Sequence, residues 1–97
     1  MITTKQRAEL RAMANSIDTI FQIGKGGVGE TFIQQVNDAL KARELIKLRV
    51  LDNSLYSSKE AANEIAEKTQ SDIVQVIGTK FVLFKKNEKE PVIKLSK

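Results

Sequence analysis

Leu10, Met13, Ala14 and Ile17 recur at three- and four-residue spacing, the period of a helix that buries one face. The spacing predicts a first helix from Thr4 to about Ser16. Thr3 offers a capping hydroxyl and Gln6 stands in the reciprocal position of a capping box. Lys5, Arg7 and Arg11 fall on its outer face. The pattern then shortens: Thr19-Ile20-Phe21-Gln22-Ile23 reads as a strand that ends at a glycine run. Phe32, Ile33, Val36 and Leu40 restore the helical period and predict a second helix from about Glu30 to Lys41.

From Leu45 to Leu51 the period drops to two. Ile46, Leu48 and Val50 point one way and Lys47 and Arg49 the other, which predicts a half-buried strand whose polar face is positive. Ser57 and Glu60 form a second capping-box pair and open a third helix, carried to about Thr69 by Ala61, Ala62, Ile65 and Ala66. Glu60, Glu64 and Glu67 lie on its outer side, with Glu64 and Lys68 in a favourable i,i+4 relation. Ile73–Ile77 and Lys80–Lys85 flank Gly78-Thr79, and glycine first in a two-residue turn suits a type II′ hairpin. The order is αβαβαββ, an α/β domain. The tail from Asn87 is expected to extend or fray, with Val92-Ile93 able to add a brief strand.

Composition narrows the chemistry. The 97 residues suffice for one domain and one modest core. Cysteine and histidine are both absent, which removes disulfides, zinc fingers, thiol nucleophiles and imidazole acid–base catalysis together. The carboxylates form no recognisable catalytic pair, so no catalytic residue, metal or cofactor is expected. No apolar run approaches the roughly 18 residues of a membrane span, and the N-terminus lacks the pattern of a signal peptide. A cytoplasmic protein without a membrane or small-molecule partner is the expectation.

Net charge is +4, unevenly spread. Residues 1–51 hold eight Lys/Arg against five Asp/Glu, residues 52–72 two against five, and residues 73–97 six against two. Such a chain presents one face to a polyanion and turns another away.

Gly24 to Thr31 reads Gly-Lys-Gly-Gly-Val-Gly-Glu-Thr. It meets the phosphate-loop template G-x-x-x-x-G-K-[ST] except that Glu30 stands where the nucleotide-binding lysine belongs. A carboxylate there repels the β- and γ-phosphates, and the chain is short for a nucleotide-hydrolase sheet. Leu48-Arg49-Val50-Leu51-Asp52 offers a Walker-B-like strand, but Asp52-Asn53-Ser54 is more simply a turn. Gly24-Lys25-Gly26-Gly27 is also a G-x-x-G loop of the kind that clamps a nucleic-acid backbone in K-homology modules; there, however, the loop joins two helices. Phe81-Val82-Leu83-Phe84 suggests the aromatic strand of an RNA-recognition motif, yet without that motif's glycines it reads as core.

Ile23-Gly24-Lys25-Gly26-Gly27, Glu44 to Val50, and Val76-Ile77-Gly78 before Phe81-Val82-Leu83-Phe84, in that order, resemble the CRM domain, the chloroplast RNA-splicing and ribosome-maturation domain whose bacterial members form the YhbY family. The likeness covers about Thr3 to Lys86. It implies a four-stranded mixed sheet packed with helices, similar to the C-terminal domain of translation initiation factor three. One domain over 1–97 is expected, its core at about 3–86 and a tail at 87–97. The resemblance further implies an RNA-binding ribosome-assembly factor whose partner is precursor rRNA or the pre-50S particle. Gly24, Lys25, Gly26 and Gly27 would contact RNA, with Lys47 and Arg49 of the second strand; the charge map adds Arg7 and Arg11. Two alternatives remain at this point: a protein-interaction module with a purely structural glycine loop, and a degenerate nucleotide binder.

Overall fold

The computed structural model describes residues 2–95. Its elements run α1 (Thr4–Ala14), β1 (Thr19–Ile23), α2 (Glu30–Arg43), β2 (Leu45–Val50), α3 (Ser58–Thr69), β3 (Asp72–Ile77) and β4 (Lys80–Phe84), the αβαβαββ order expected. Both capping boxes are closed. Thr3 and Ser57 accept from the N–H groups of Gln6 and Glu60, and the side chains of Gln6 and Glu60 accept from the cap N–H groups in return. Each box satisfies two of the donors that a helix start leaves open.

The strands form one sheet in the order β1-β2-β4-β3. β1 and β2 are parallel, joined through α2, while β4 runs antiparallel to both β2 and β3. At the β3–β4 turn Gly78 has φ +58° and Thr79 keeps a negative φ. Positive φ at the first turn position alone fits type II′ and excludes type I′. β1 and β3 each carry an irregularity in register, between Thr19 and Phe21 and between Ile73 and Gln75.

Helices cover the sheet on both sides. On one side α2 and α3 bury Val36, Leu40, Ile65, Ile46, Leu48, Phe81 and Leu83. On the other, α1 places Leu10 and Ala14 over Leu45, Val74, Val82 and Phe84. Phe81 and Phe84 are therefore core on opposite faces, and neither stacks outward. The two-sided cover corrects one expectation: β2 is not uniformly half-buried. Leu45 shares the face of Lys47 and Arg49 but lies beneath α1, whereas Arg49 emerges past the end of that helix.

The tail after β4 forms no regular strand over residues 87–95, and Val92-Ile93 makes none. It is nonetheless tied down. Glu44 follows α2 with φ 64° and ψ −41° and is fully buried. Its carboxylate accepts the N–H of Asn87 on Oε2 and those of Val92 and Ile93 on Oε1, each at 2.6 Å. The Asn87 amide caps α2 by donating to the Lys41 carbonyl at 2.9 Å, and Ile93 and Leu95 pack onto the cluster beneath α1.

Candidate nucleic-acid interface

The end of the sheet where β1 and β2 finish gathers four segments. Ile23 pairs with Val50, and the Leu51 N–H donates to the Ile23 carbonyl at 2.9 Å. The glycine loop and the β2–α3 connection therefore leave the sheet side by side. The Val50 N–H donates to the Thr79 carbonyl at 2.8 Å, and the Ser58 hydroxyl to the Gly78 carbonyl at 2.7 Å. These bonds bring the β3–β4 hairpin and the start of α3 to the same end.

The glycine loop closes on itself through the Gly27 N–H, which donates to the Gly24 carbonyl at 3.1 Å. Gly27 has φ +72°, and a Cβ there would stand 3.3 Å from Tyr56 Cε2. Backbone conformation and the tyrosine both call for glycine at that position. Gly26 differs: nothing lies within 4 Å of where its Cβ would be, so its outer side is open to whatever approaches. The β2–α3 connection supports the loop from beneath, with Tyr56 below Gly27 and Leu51 and Asn53 3.6 Å from a Cβ at Gly24. Asp52 lies in an exposed turn there, as its neighbours predicted, and the Ser54 N–H bonds back to the Leu51 carbonyl.

Gly29 caps α2 without a side-chain hydrogen bond. Among the described residues no side chain takes up the N–H groups of the first turn, and the helix adds its positive end. Glu30 occupies the first helical turn, exposed, where a carboxylate complements the dipole. Strand, loop and helix follow one another as in a nucleotide-binding loop, but the position that would reach the outer phosphates carries the wrong charge.

The cations divide. Lys25 is exposed on the loop. Arg49 is the cross-strand partner of Gln22 on one side and of Lys80 on the other, and Lys80 pairs onward with Ile77. One row across the sheet thus carries Gln22, Arg49, Lys80 and Ile77 on a single face, and Gln22 stands two residues before Gly24. Lys47 lies in the next row, between β1 and Val82. Among the described residues no salt bridge engages Lys25, Lys47, Arg49 or Lys80. Sequence reading missed Lys80. The signal was its place immediately after the hairpin turn, which sets it opposite Arg49 near the end of β2.

Arg11 is exposed on α1, one turn ahead of Asn15. Arg7 is placed differently. Its guanidinium donates to the Ile73 carbonyl and reaches the Val74 carbonyl at 3.5 Å, filling the irregular stretch of the β3 edge. Arg7 therefore belongs to the sheet edge and stands apart from the loop cluster. Acidic residues stand close by as well: Glu64 takes up Lys68 at 3.6 Å and the hydroxyl of Tyr56, the residue under Gly27, at 3.3 Å. The Ser57 N–H, with the Ser57 hydroxyl second, holds the Glu60 carboxyl below its usual range. No helix of the described residues is long and apolar enough to cross a membrane.

Fold and site together define a single α/β domain with a glycine-lined, helix-capped loop at the positive end of a mixed sheet. A sequence model of the CRS1 / YhbY (CRM) domain matches residues 2–85, and the chain belongs to that family. It is 41% identical over 95 residues to "Probable RNA-binding protein YqeI" of Bacillus subtilis, covering 98% of this chain and 99% of that one. It is 28% identical over 91 residues to an "RNA-binding protein" of Haemophilus influenzae, covering 94% and 92%. The solution structure of the hypothetical protein SAV1595 from Staphylococcus aureus, described as a candidate RNA-binding protein, superposes with a TM-score of 0.81 at 46% identity. That match covers 99% of this chain and all of the other.

Proposed function

We propose that this protein binds RNA through the glycine loop and the basic row behind it. The carrying observation is the conjunction at one end of the sheet: an open Gly26, an uncapped α2 start, an exposed Lys25, and Arg49 and Lys80 side by side. Main-chain N–H groups suit single phosphodiester oxygens, and uncommitted cations neutralise their neighbours. Family membership and the names of the relatives support the same reading. The finer proposal is a cytosolic ribosome-assembly factor that holds precursor rRNA of the large subunit.

The test is a fluorescence-anisotropy titration of the full chain against labelled RNA over a range of salt. The logarithm of the affinity should fall linearly with the logarithm of salt concentration, with a slope of about 0.7 for each phosphate neutralised on a single strand. Binding that ignores salt, or that Gly26→Asp leaves unchanged in a natively folded protein, would defeat the reading. Crosslinking in cells and sequencing of bound fragments tests the finer part: large-subunit precursor sequence should be enriched.

A further inference from the structure

We infer that this protein carries a pocket for one unpaired nucleobase, on the α1 side of the sheet. The inference rests on the RNA-binding reading and names what part of the RNA the sheet face takes. Where α1 ends, the sheet is uncovered, and a small cleft of about 130 Å³ opens. Asn15, Lys47, Gln75, Ile77, Lys80 and Val82 line it. The register explains why these residues meet: Lys47, Val82 and Gln75 are successive cross-strand partners in one row, and Lys80 and Ile77 partners in the next.

Each wall has a chemistry suited to a flat heterocycle. Ile77 is 61% exposed and offers an apolar contact to a ring face. An isoleucine so exposed beside two lysines gains nothing in the isolated protein, where water meets its methyl groups. Asn15 and Gln75 carry amides that can both donate to and accept from a base edge. Among the described residues neither amide is engaged in a hydrogen bond, and neither Lys47 nor Lys80 in an ion pair. These polar groups are uncommitted and converge on one small space.

The cations select RNA over an apolar peptide as the occupant. Lys80 lies beside Arg49 in the row that leads to the glycine loop, so a backbone held at Gly24–Gly27 and Arg49 can drop a base into the cleft. A paired base cannot enter, because its edge is already bonded and its faces are stacked. The pocket therefore favours single-stranded or bulged RNA, consistent with how sequence-specific RNA contacts are usually made.

The experiment compares labelled single-stranded 12-mers of each base with their perfect duplexes, using anisotropy and the full-length chain. The single strands should bind more tightly than the duplexes. Ile77→Ser and, separately, Gln75→Ala should weaken the best single-stranded probe by about tenfold with no change in salt slope, as loss of one base contact does. Lys80→Gln should lower the slope itself, by about 0.7. In NMR spectra, saturating probe should shift the side-chain amide signals of Asn15 and Gln75. Circular dichroism checks that each variant keeps its fold. Single strands that bind well and lose affinity on Gly26→Asp, but not on Ile77→Ser or Gln75→Ala, would overturn the pocket and leave the RNA reading standing. Absence of RNA binding by the unaltered chain would overturn both.

Discussion

Glu44 is the residue whose substitution most sharply tests how this fold is held together. It ends α2, where a negative charge opposes the helix dipole, and it is fully buried with a positive φ that side chains rarely adopt. Three costs fall on one residue. The compensation is its carboxylate, which gathers three main-chain N–H groups from the tail at 2.6 Å. A hydrogen bond to a charged group contributes about 1.5–3 kcal/mol. The gross figure for three overstates the net effect, because the tail amides regain water if the tail lifts. Glu44→Gln keeps the shape, but its NH₂ would face the Asn87 N–H, donor against donor, and the charge assistance to the other two bonds is lost. We expect a destabilisation of about 2–3 kcal/mol. For a domain of this size that lowers the melting point by roughly 10–20 °C.

Glu44→Gly separates conformation from charge. Glycine would relieve backbone strain of about 1–3 kcal/mol and at the same time delete every acceptor. If Glu44 served only to end the helix, the glycine variant would be the more stable protein. The latch predicts the opposite: a lower melting point, with hydrogen exchange at the Asn87, Val92 and Ile93 amides accelerated while the β4 amides stay protected. In a chain cut after Lys86 the carboxylate has lost its donors, and Glu44→Gln should there cost nothing or stabilise. A glycine variant that melts higher than the parent, or a glutamine variant with unchanged melting and exchange, would refute this account.

Arg7→Ala should destabilise the fold by about 1–2 kcal/mol, since charged donors are withdrawn from the β3 edge, and should leave the salt slope of RNA binding unchanged; Arg11→Ala should do the reverse, as thermal melts and salt titrations would show. Gly26→Asp should abolish most RNA affinity without loss of stability, because a side chain there meets open space; Gly27→Asp should also lower the melting point, its φ of +72° costing about 1–2 kcal/mol. The Glu60 carboxyl is held below its usual range in the folded chain, by the Ser57 N–H first and the Ser57 hydroxyl second. Its contribution is therefore present above the unfolded carboxyl's range and lost as pH falls through the lower folded value. Urea denaturation across acidic pH should show this dependence weakened in Glu60→Gln, which keeps the reciprocal cap.

What could be read from the chain was local. Thr3 with Gln6 and Ser57 with Glu60 announce helix starts because a cap needs only four consecutive residues, and both closed as read. Gly78 declared its turn for the same reason. What could not be read depends on partners distant in sequence. Arg7 fell on the outer face of its helix by period, yet finds the Ile73 carbonyl 66 residues away, where an irregular register turns a carbonyl outward. Glu44 entered the sequence reading only as the first residue of a stretch that carries the family resemblance. One clue was available: an acidic residue immediately after Arg43, at the wrong end of a helix, needs donors from elsewhere, and the tail supplies them. Lys80 joined the basic row solely through antiparallel pairing with Arg49.

Glu30 bears on how binding would be distributed. In a nucleotide loop the lysine at that place concentrates much of the attraction on one site. Here a carboxylate complements the α2 dipole instead, leaving main-chain N–H groups and Lys25 as the local phosphate contacts. Such a loop orients a backbone more than it attracts one, since main-chain donors fix register while charge supplies the sequence-independent affinity. In the proposed reading, the attraction must then be spread over cations that the loop does not contain. Arg49, Lys80 and Lys47 stand behind the loop, uncommitted to any carboxylate among the described residues, while the acidic residues of α3 are partly occupied with Tyr56 and Lys68. That division of labour suits a long polyanion that crosses the sheet and disfavours a single nucleotide, which could touch only the loop.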